Sequence, residues 1–232
     1  MKTLKIFLLM VAAILSAPSI SNAQDLYRVH EDVVKPSHVT EYEGILAELM
    51  TMVKKNEVKD ARWITFVTNN SHYSYLTPIK NMADLDKPSF VAQLIEKEGR
   101  EKVSDLFSRM NKCYDTELDY ILSLNRDLSY MPTGITQTPE GENYRENHVL
   151  YVSPSNASIV NDKLKALKKL YESKASTAYY RVYNSGFGTD GQYIMVATAA
   201  KDPMDLELKG KVNRELLGED LQKLIFDMYV NT

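Results

Sequence analysis

One cysteine, Cys113, is all that the 232-residue chain contains, so no intrachain disulfide can brace it and packing alone has to hold its core. Neither sign of charge dominates. The 28 Lys and Arg stand against 31 Asp and Glu, a formal charge of −3 that lacks the basic footprint of a nucleic-acid binder. The four histidines, His30, His38, His72 and His148, have no spacing that resembles a zinc or iron site, so no metal centre is expected. Neither G-x-S-x-G nor H-E-x-x-H occurs, and no paired-carboxylate signature is visible. Beyond residue 17, no apolar run approaches the roughly 20 residues that a membrane span needs.

What is present starts with compartment. Lys2 and Lys5 precede the apolar run 6–17, and Ser21-Asn22-Ala23 follows with the small-x-small pattern of a cleavage site. That three-part arrangement is a secretory signal, too short to act as an anchor. Residues 1–23 are therefore expected to be removed. The product is expected to be exported to a bacterial periplasm or the medium, with no stable membrane insertion.

The chain then follows one plan twice. His30-Glu31-Asp32-Val33-Val34-Lys35-Pro36 and His148-Val149-Leu150-Tyr151-Val152-Ser153-Pro154 start equivalent runs 118 residues apart. The first strand, 27–34, leads to a helix over 41–55 in which Ile45, Leu46, Leu49, Met52 and Val53 recur at helical spacing. Strands over 61–68 and 72–79 join through Asn69-Asn70-Ser71. Helices over 89–98 and 101–114 flank Gly99, and 118–124 reads as a fourth strand. A Pro- and Gly-containing linker, 127–142, leads to the second copy. There a strand over 144–152, a helix over 158–173, strands over 177–183 and 192–198, and a final helix repeat the order. Asp205-Leu206 matches Asp84-Leu85, and Leu221, Leu224, Ile225 and Met228 match Val103, Leu106, Phe107 and Met110. The first unit is set at 24–138 with its linker, the second at 139–232. The second has no evident counterpart of the fourth strand.

Strand-helix-strand-strand-helix with a fourth strand is the ferredoxin-like plan, so the expected class is α+β. Two such units in tandem resemble the dimeric α+β barrel superfamily, which includes antibiotic-biosynthesis-type monooxygenases, EthD-like and NIPSNAP-like proteins and haem-handling enzymes. The resemblance rests on element order and on the two H-x5-P runs. It implies antiparallel sheets that face each other as a pseudo-dimeric barrel, with a ligand site in the cleft between sheet and helices. It assigns no catalytic residue here.

The residues themselves offer ligand-binding candidates. His30 and His148 occupy the same place in both copies, where a strand histidine can serve as base or ligand, or can hydrogen-bond backbone at the sheet edge. Among the strand aromatics, Trp63 aligns with Tyr180, Phe66 with Tyr183 and Tyr73 with Tyr193. Such rings either line an apolar pocket with hydroxyl handles or pack as core. Arg181, between Tyr179 and Tyr183 on one strand face and opposite Ile64 in the alignment, can hold a carboxylate or stack at the surface. Gly186-Phe187-Gly188-Thr189-Asp190-Gly191 reads as a hairpin rather than a phosphate loop, because a strand follows it instead of a helix. Cys113 reads as a buried inert thiol and the lysines of 163–169 as a solvated helix face.

Three functions stay open. The leading one is an exported monomer or homodimer that binds a small apolar or anionic ligand. The second is a cofactor-light monooxygenase or a haem-handling enzyme using His30 or His148. The third is a structural component of an envelope assembly. No cofactor is required by the residues; haem belongs to the second reading alone.

Overall fold

The computed structural model describes residues 25–59 and 61–232, so the signal expected at 1–23 lies outside the described residues. Strand β1 (Asp25–Val34) ends where Pro36 opens a short 3-10 turn into helix α1 (Val39–Lys55). Helix α1 buries Tyr42, Ile45, Leu49, Met52 and Val53, a stripe at spacings of three and four that lies along one face. β2 (Ile64–Val67) and β3 (His72–Ile79) form the hairpin expected around Asn69-Asn70-Ser71. Helices α2 (Phe90–Glu98) and α3 (Arg100–Met110) meet at Gly99, and β4 (Tyr114–Leu124) completes the first unit. The second unit runs β5 (Tyr144–Tyr151), α4 (Ala157–Ser173), β6 (Arg181–Ser185), β7 (Tyr193–Ala200), α5 (Pro203–Leu217) and α6 (Glu219–Tyr229).

The duplication is visible in small devices. Asp84 Oδ2 accepts from the Lys80 amide at 2.7 Å, and Asp205 Oδ2 accepts from the Lys201 amide at 3.0 Å. The amide of Gly99 returns to the Ile95 carbonyl as that of Gly218 returns to Arg214.

All seven strands form one antiparallel sheet in the order β2-β3-β1-β4-β6-β7-β5. The halves are thus joined edge to edge: Leu122–Leu124 of β4 pairs with Tyr183–Ser185 of β6. Among the described residues no second-unit strand matches β4, which leaves β2 and β5 as the outer strands. The sheet curls so that the inner faces of both units meet. Tyr27, Val29, Leu76, Leu122 and Leu124 pack with Tyr183 and Ala197 in a shared core. Each helix layer keeps its own core, one holding Tyr42, Leu94, Leu106 and Cys113, the other Val160, Leu164, Tyr180 and Leu221. Leu128 and Tyr130, from the stretch that follows β4, pack into the second of these. Fully burying an aliphatic side chain contributes about 1.5–3 kcal/mol, so three such clusters replace the missing disulfides. Cys113 is fully buried, and burial pushes its thiol up.

The sheet register corrects one expected equivalence. His30 pairs with Tyr75 and His148 with Val196, so Asp32 matches Leu150 and Tyr73 matches Ile194, not Tyr193. A slip of one residue reverses the face. Tyr73 therefore looks toward the helices and Tyr193 into the barrel. The pairings of Ile64 with Leu76 and of Arg181 with Ala197 keep Ile64 and Arg181 equivalent.

Candidate functional site

Alternation along β1 sends Arg28, His30 and Asp32 to one face, and the register lines up two rows across three strands. One row is Tyr75, His30 and Asp119; the next is Tyr73, Asp32 and Glu117. Helix α1 covers these rows and adds Tyr42, whose hydroxyl donates to Asp32 Oδ2 at 2.5 Å and lies 2.6 Å from the Tyr75 hydroxyl. The His30 ring stacks against Tyr75, with centroids 6.2 Å apart.

His30 sits between two carboxylates. Its Nδ1 is 3.2 Å from Asp119 Oδ2 and its Nε2 is 3.2 Å from Asp32 Oδ1. Hydrogen bonding to Asp32 and the charges of Asp32 and Asp119 outweigh burial and raise the imidazole to about 9. The ring is therefore an imidazolium at neutral pH, with Nδ1 hydrogen-bonded to Asp119 and Nε2 ion-paired with Asp32. Asp32 is 2% exposed, and no donor is aligned for a good hydrogen bond to its Oδ1. Arg28 clamps the outer carboxylate, Nη2 to Asp119 Oδ1 at 2.6 Å. Burial, then the neighbouring hydroxyl and carboxylate, drives the Tyr42 phenol far up. Burial does the same to Tyr75, so both phenols stay protonated.

The apolar part of the site lies beside this chain of polar groups. Trp63 meets Tyr75 edge to face at 6.4 Å and Phe90 at 5.2 Å. It also borders a surface depression lined by Leu46, Met50, Ala61, Arg62 and Thr65. His30, Asp32 and Glu117 each bring one ligand atom within 4.8 Å of the others, so a divalent cation has three donors there. The proton on His30 competes with any such ion.

The structure distributes the seven sequence candidates over four places. His30, Trp63 and Tyr73 share the helix side of the first unit, where the Tyr73 hydroxyl donates to Glu43 at 2.7 Å. Tyr180 lies in the helix-side core of the second unit against Tyr130 and Tyr171, with its hydroxyl unpartnered. Arg181 and Tyr193 point into the barrel. His148 is exposed, with Nδ1 3.0 Å from the Tyr229 hydroxyl and Nε2 2.8 Å from Glu146. His30 and His148 do not converge. Both have both ring nitrogens engaged, so axial ligation of haem iron by either requires an ion pair or hydrogen bond to open.

Sequence reading missed Asp32, Tyr42, Asp119 and Arg145. The H-x-D spacing of His30 and Asp32 was a usable signal, since a strand puts both on one face. Asp119 and Arg145 enter only through strand pairing and barrel closure.

No family model matches the sequence, and no curated protein matches it. Among solved structures, an anthrone oxidase-like protein superposes at TM-score 0.59 over 91% of this chain and 87% of its own, with 12% identity. A monooxygenase candidate from Fusobacterium nucleatum subsp. nucleatum superposes at TM-score 0.50 over 90% and 88%, again with 12% identity. At such identity the likeness speaks to fold alone. The chain has the α+β barrel of the dimeric α+β barrel type, built from two ferredoxin-like units in one polypeptide.

Proposed function

We propose that the protein binds a small aromatic compound with a hydroxyl or enol group, held beside Trp63 on the helix side of the first unit. The observation that carries this is the hydrogen-bonded chain Tyr75–Tyr42–Asp32, which starts under Trp63 and ends on a buried carboxylate. Tyr42 gives its proton to Asp32, so the proton between the two phenols comes from Tyr75. The Tyr75 oxygen then keeps lone pairs and has no proton to offer, and a matching ligand group must donate. Trp63 supplies the apolar surface for the ring. The leader expected at 1–23 makes export part of the same proposal.

A second reading, cofactor-light oxygenation, is favoured by the same chain. A hydroxyl proton passed to Tyr75 shifts one proton from Tyr75 to Tyr42 and one from Tyr42 to Asp32. The ligand is left as an anion, the form that reacts with dioxygen. The imidazolium of His30 offsets the charge that this leaves in the site.

Trp63 is the sole tryptophan, so its fluorescence reports this place alone. Titration with phenols and anthrone is expected to quench it with saturation, and Tyr75→Phe is expected to weaken the affinity several-fold. Absence of saturable quenching across the set refutes the site. Oxygen uptake with anthrone, lost in Asp32→Asn, supports oxygenation; saturable binding without uptake leaves binding as the function.

A further inference from the structure

The barrel interior contains a second polar feature, remote from His30 in role and on the opposite face of the sheet. Arg145 of β5 and Arg181 of β6 both enter it. Arg181 is 1% exposed, yet among the described residues neither guanidinium has a carboxylate within ion-pair distance. Glu142, an acid whose charge acts on both, is already taken up by Lys209 Nζ at 2.6 Å and by the Tyr179 hydroxyl. Two buried cations therefore repel one another. Burial first, and then Arg181, pull Arg145 down to about 10.

Backbone carbonyls of the inter-unit linker are their substitute partners. Arg181 Nη1 donates to Thr136 O at 2.8 Å and to Gln137 O at 3.0 Å, and Arg145 Nη2 donates to Gln137 O at 2.6 Å. Three donors stay unused: Arg145 Nε, Arg145 Nη1 and Arg181 Nε, all closed off from solvent. Buried guanidinium donors without acceptors are costly, and neutral carbonyls offset a positive charge poorly. The surroundings are aromatic. Arg145 lies over Phe66, Tyr183 donates to Gln137 Oε1, and Tyr27 meets Tyr183 edge-on at 6.3 Å.

We infer that Arg145 and Arg181 form an anion site inside the barrel for a small planar carboxylate, closed in this structure by the Thr136–Gln137 segment. A carboxylate supplies the two charge-bearing oxygens that these guanidiniums lack, and its planarity suits their forked donors. Phe66, Tyr27 and Tyr183 favour an aromatic acid over an aliphatic one. Because the unused donors are sealed, the ligand enters when the segment around Thr136 and Gln137 lifts and gives up its carbonyl contacts.

Benzoate is the probe, and inorganic phosphate the tetrahedral control. Calorimetric titration of the protein is expected to show saturable benzoate binding that phosphate does not compete away. Arg181→Met and Arg145→Met, each checked for folding by circular dichroism, are expected to weaken it on the order of tenfold or more. Thermolysin, which cleaves on the amino side of residues such as Leu128, Met131 and Ile135, is expected to cut faster within 127–142 when benzoate is bound, an observation on the unaltered protein that survives a variant's failure to fold. No binding, equal binding in both variants, or unchanged cleavage with bound benzoate each overturns the site; competition by phosphate overturns its assignment to carboxylates. Trp63 lies elsewhere, so its fluorescence response tests the aromatic hydroxyl site independently of this one.

Discussion

The guanidinium carbon of Arg145, on one outer strand of the sheet, lies 5.3 Å above the ring of Phe66 on the other. No strand joins these edges among the described residues, so a side-chain contact closes the barrel where a backbone ladder is missing. Among the described residues the second unit has no counterpart of β4, and Arg145 with Phe66 spans the resulting seam.

That contact should be measurable as a coupling. Phe66→Ala is expected to cost roughly 2 kcal/mol, below the range for a fully buried ring because Phe66 is half-buried. A double-mutant cycle with Arg145→Met should give a coupling of about 0.5–1 kcal/mol, read by urea denaturation. Phe66→Leu should keep most of the stability and lose the coupling. A cycle that closes to zero would show that the edges are held by the shared core alone.

His30 makes stability depend on pH in a defined direction. Its folded value, about 9, lies above the ordinary 6.5, so the folded state binds the extra proton more tightly. The stabilisation is complete below about pH 6.5 and is lost as the pH rises through about 9. Between these limits the wild type should lose melting temperature faster than His30→Gln. The His30 ring protons should titrate in NMR spectra with a midpoint near 9. A midpoint near 6.5 would mean that the two carboxylates do not act on the ring as described.

Much of this arrangement was legible in the sequence, for reasons that differ by residue. The stripe Ile45, Leu49, Met52, Val53 and its counterpart Leu164, Leu167, Leu170, Tyr171 are local patterns, and both helices formed where the patterns lie. The equivalence of Ile64 with Arg181 held because no insertion separates the positions being compared from their strands. Tyr73 and Tyr193 failed because the two hairpins differ in length, and matching the strands by residue type slipped the register by one. His30 against Asp119, and Arg145 beside Arg181, need pairings between distant segments that no local period encodes.

Asp32 holds the helix-side network together, and two replacements separate its roles. Asp32→Ala removes the acceptor of the Tyr42 hydroxyl and one of the two charges on His30, and should cost about 2–4 kcal/mol. Asp32→Asn keeps the shape and an acceptor oxygen but not the charge. It should stay folded while the His30 midpoint falls from about 9 toward 6.5. Should the midpoint stay put in Asp32→Asn, Asp119 is the dominant partner, and Asp119→Asn becomes the variant that moves it.

The seam between the units depends on a glycine that sequence reading treated only as part of a hairpin. Gly188 has φ +88, and a Cβ placed there would come within 2.4 Å of the Asp119 carbonyl oxygen. Its neighbour Phe187 accepts a hydrogen bond from the Ile121 amide at 2.8 Å, so the β6–β7 loop continues the β4–β6 ladder beyond its last strand pair. Alanine at 188 is penalised twice, by its backbone conformation and by a clash with main chain that has little room to move. Gly188→Ala should cost about 2–3 kcal/mol, a fall in melting temperature of roughly 4–12 °C for a chain of this size. Because the clash falls on Asp119, the same variant should also disturb the Arg28 and His30 contacts and lower the His30 midpoint. Gly191→Ala is the control: it shares the positive φ but meets no atom closer than 4.0 Å, so it should pay for conformation only. Equal losses in the two variants would show that the loop is not docked on β4 and that the seam ends at Leu122.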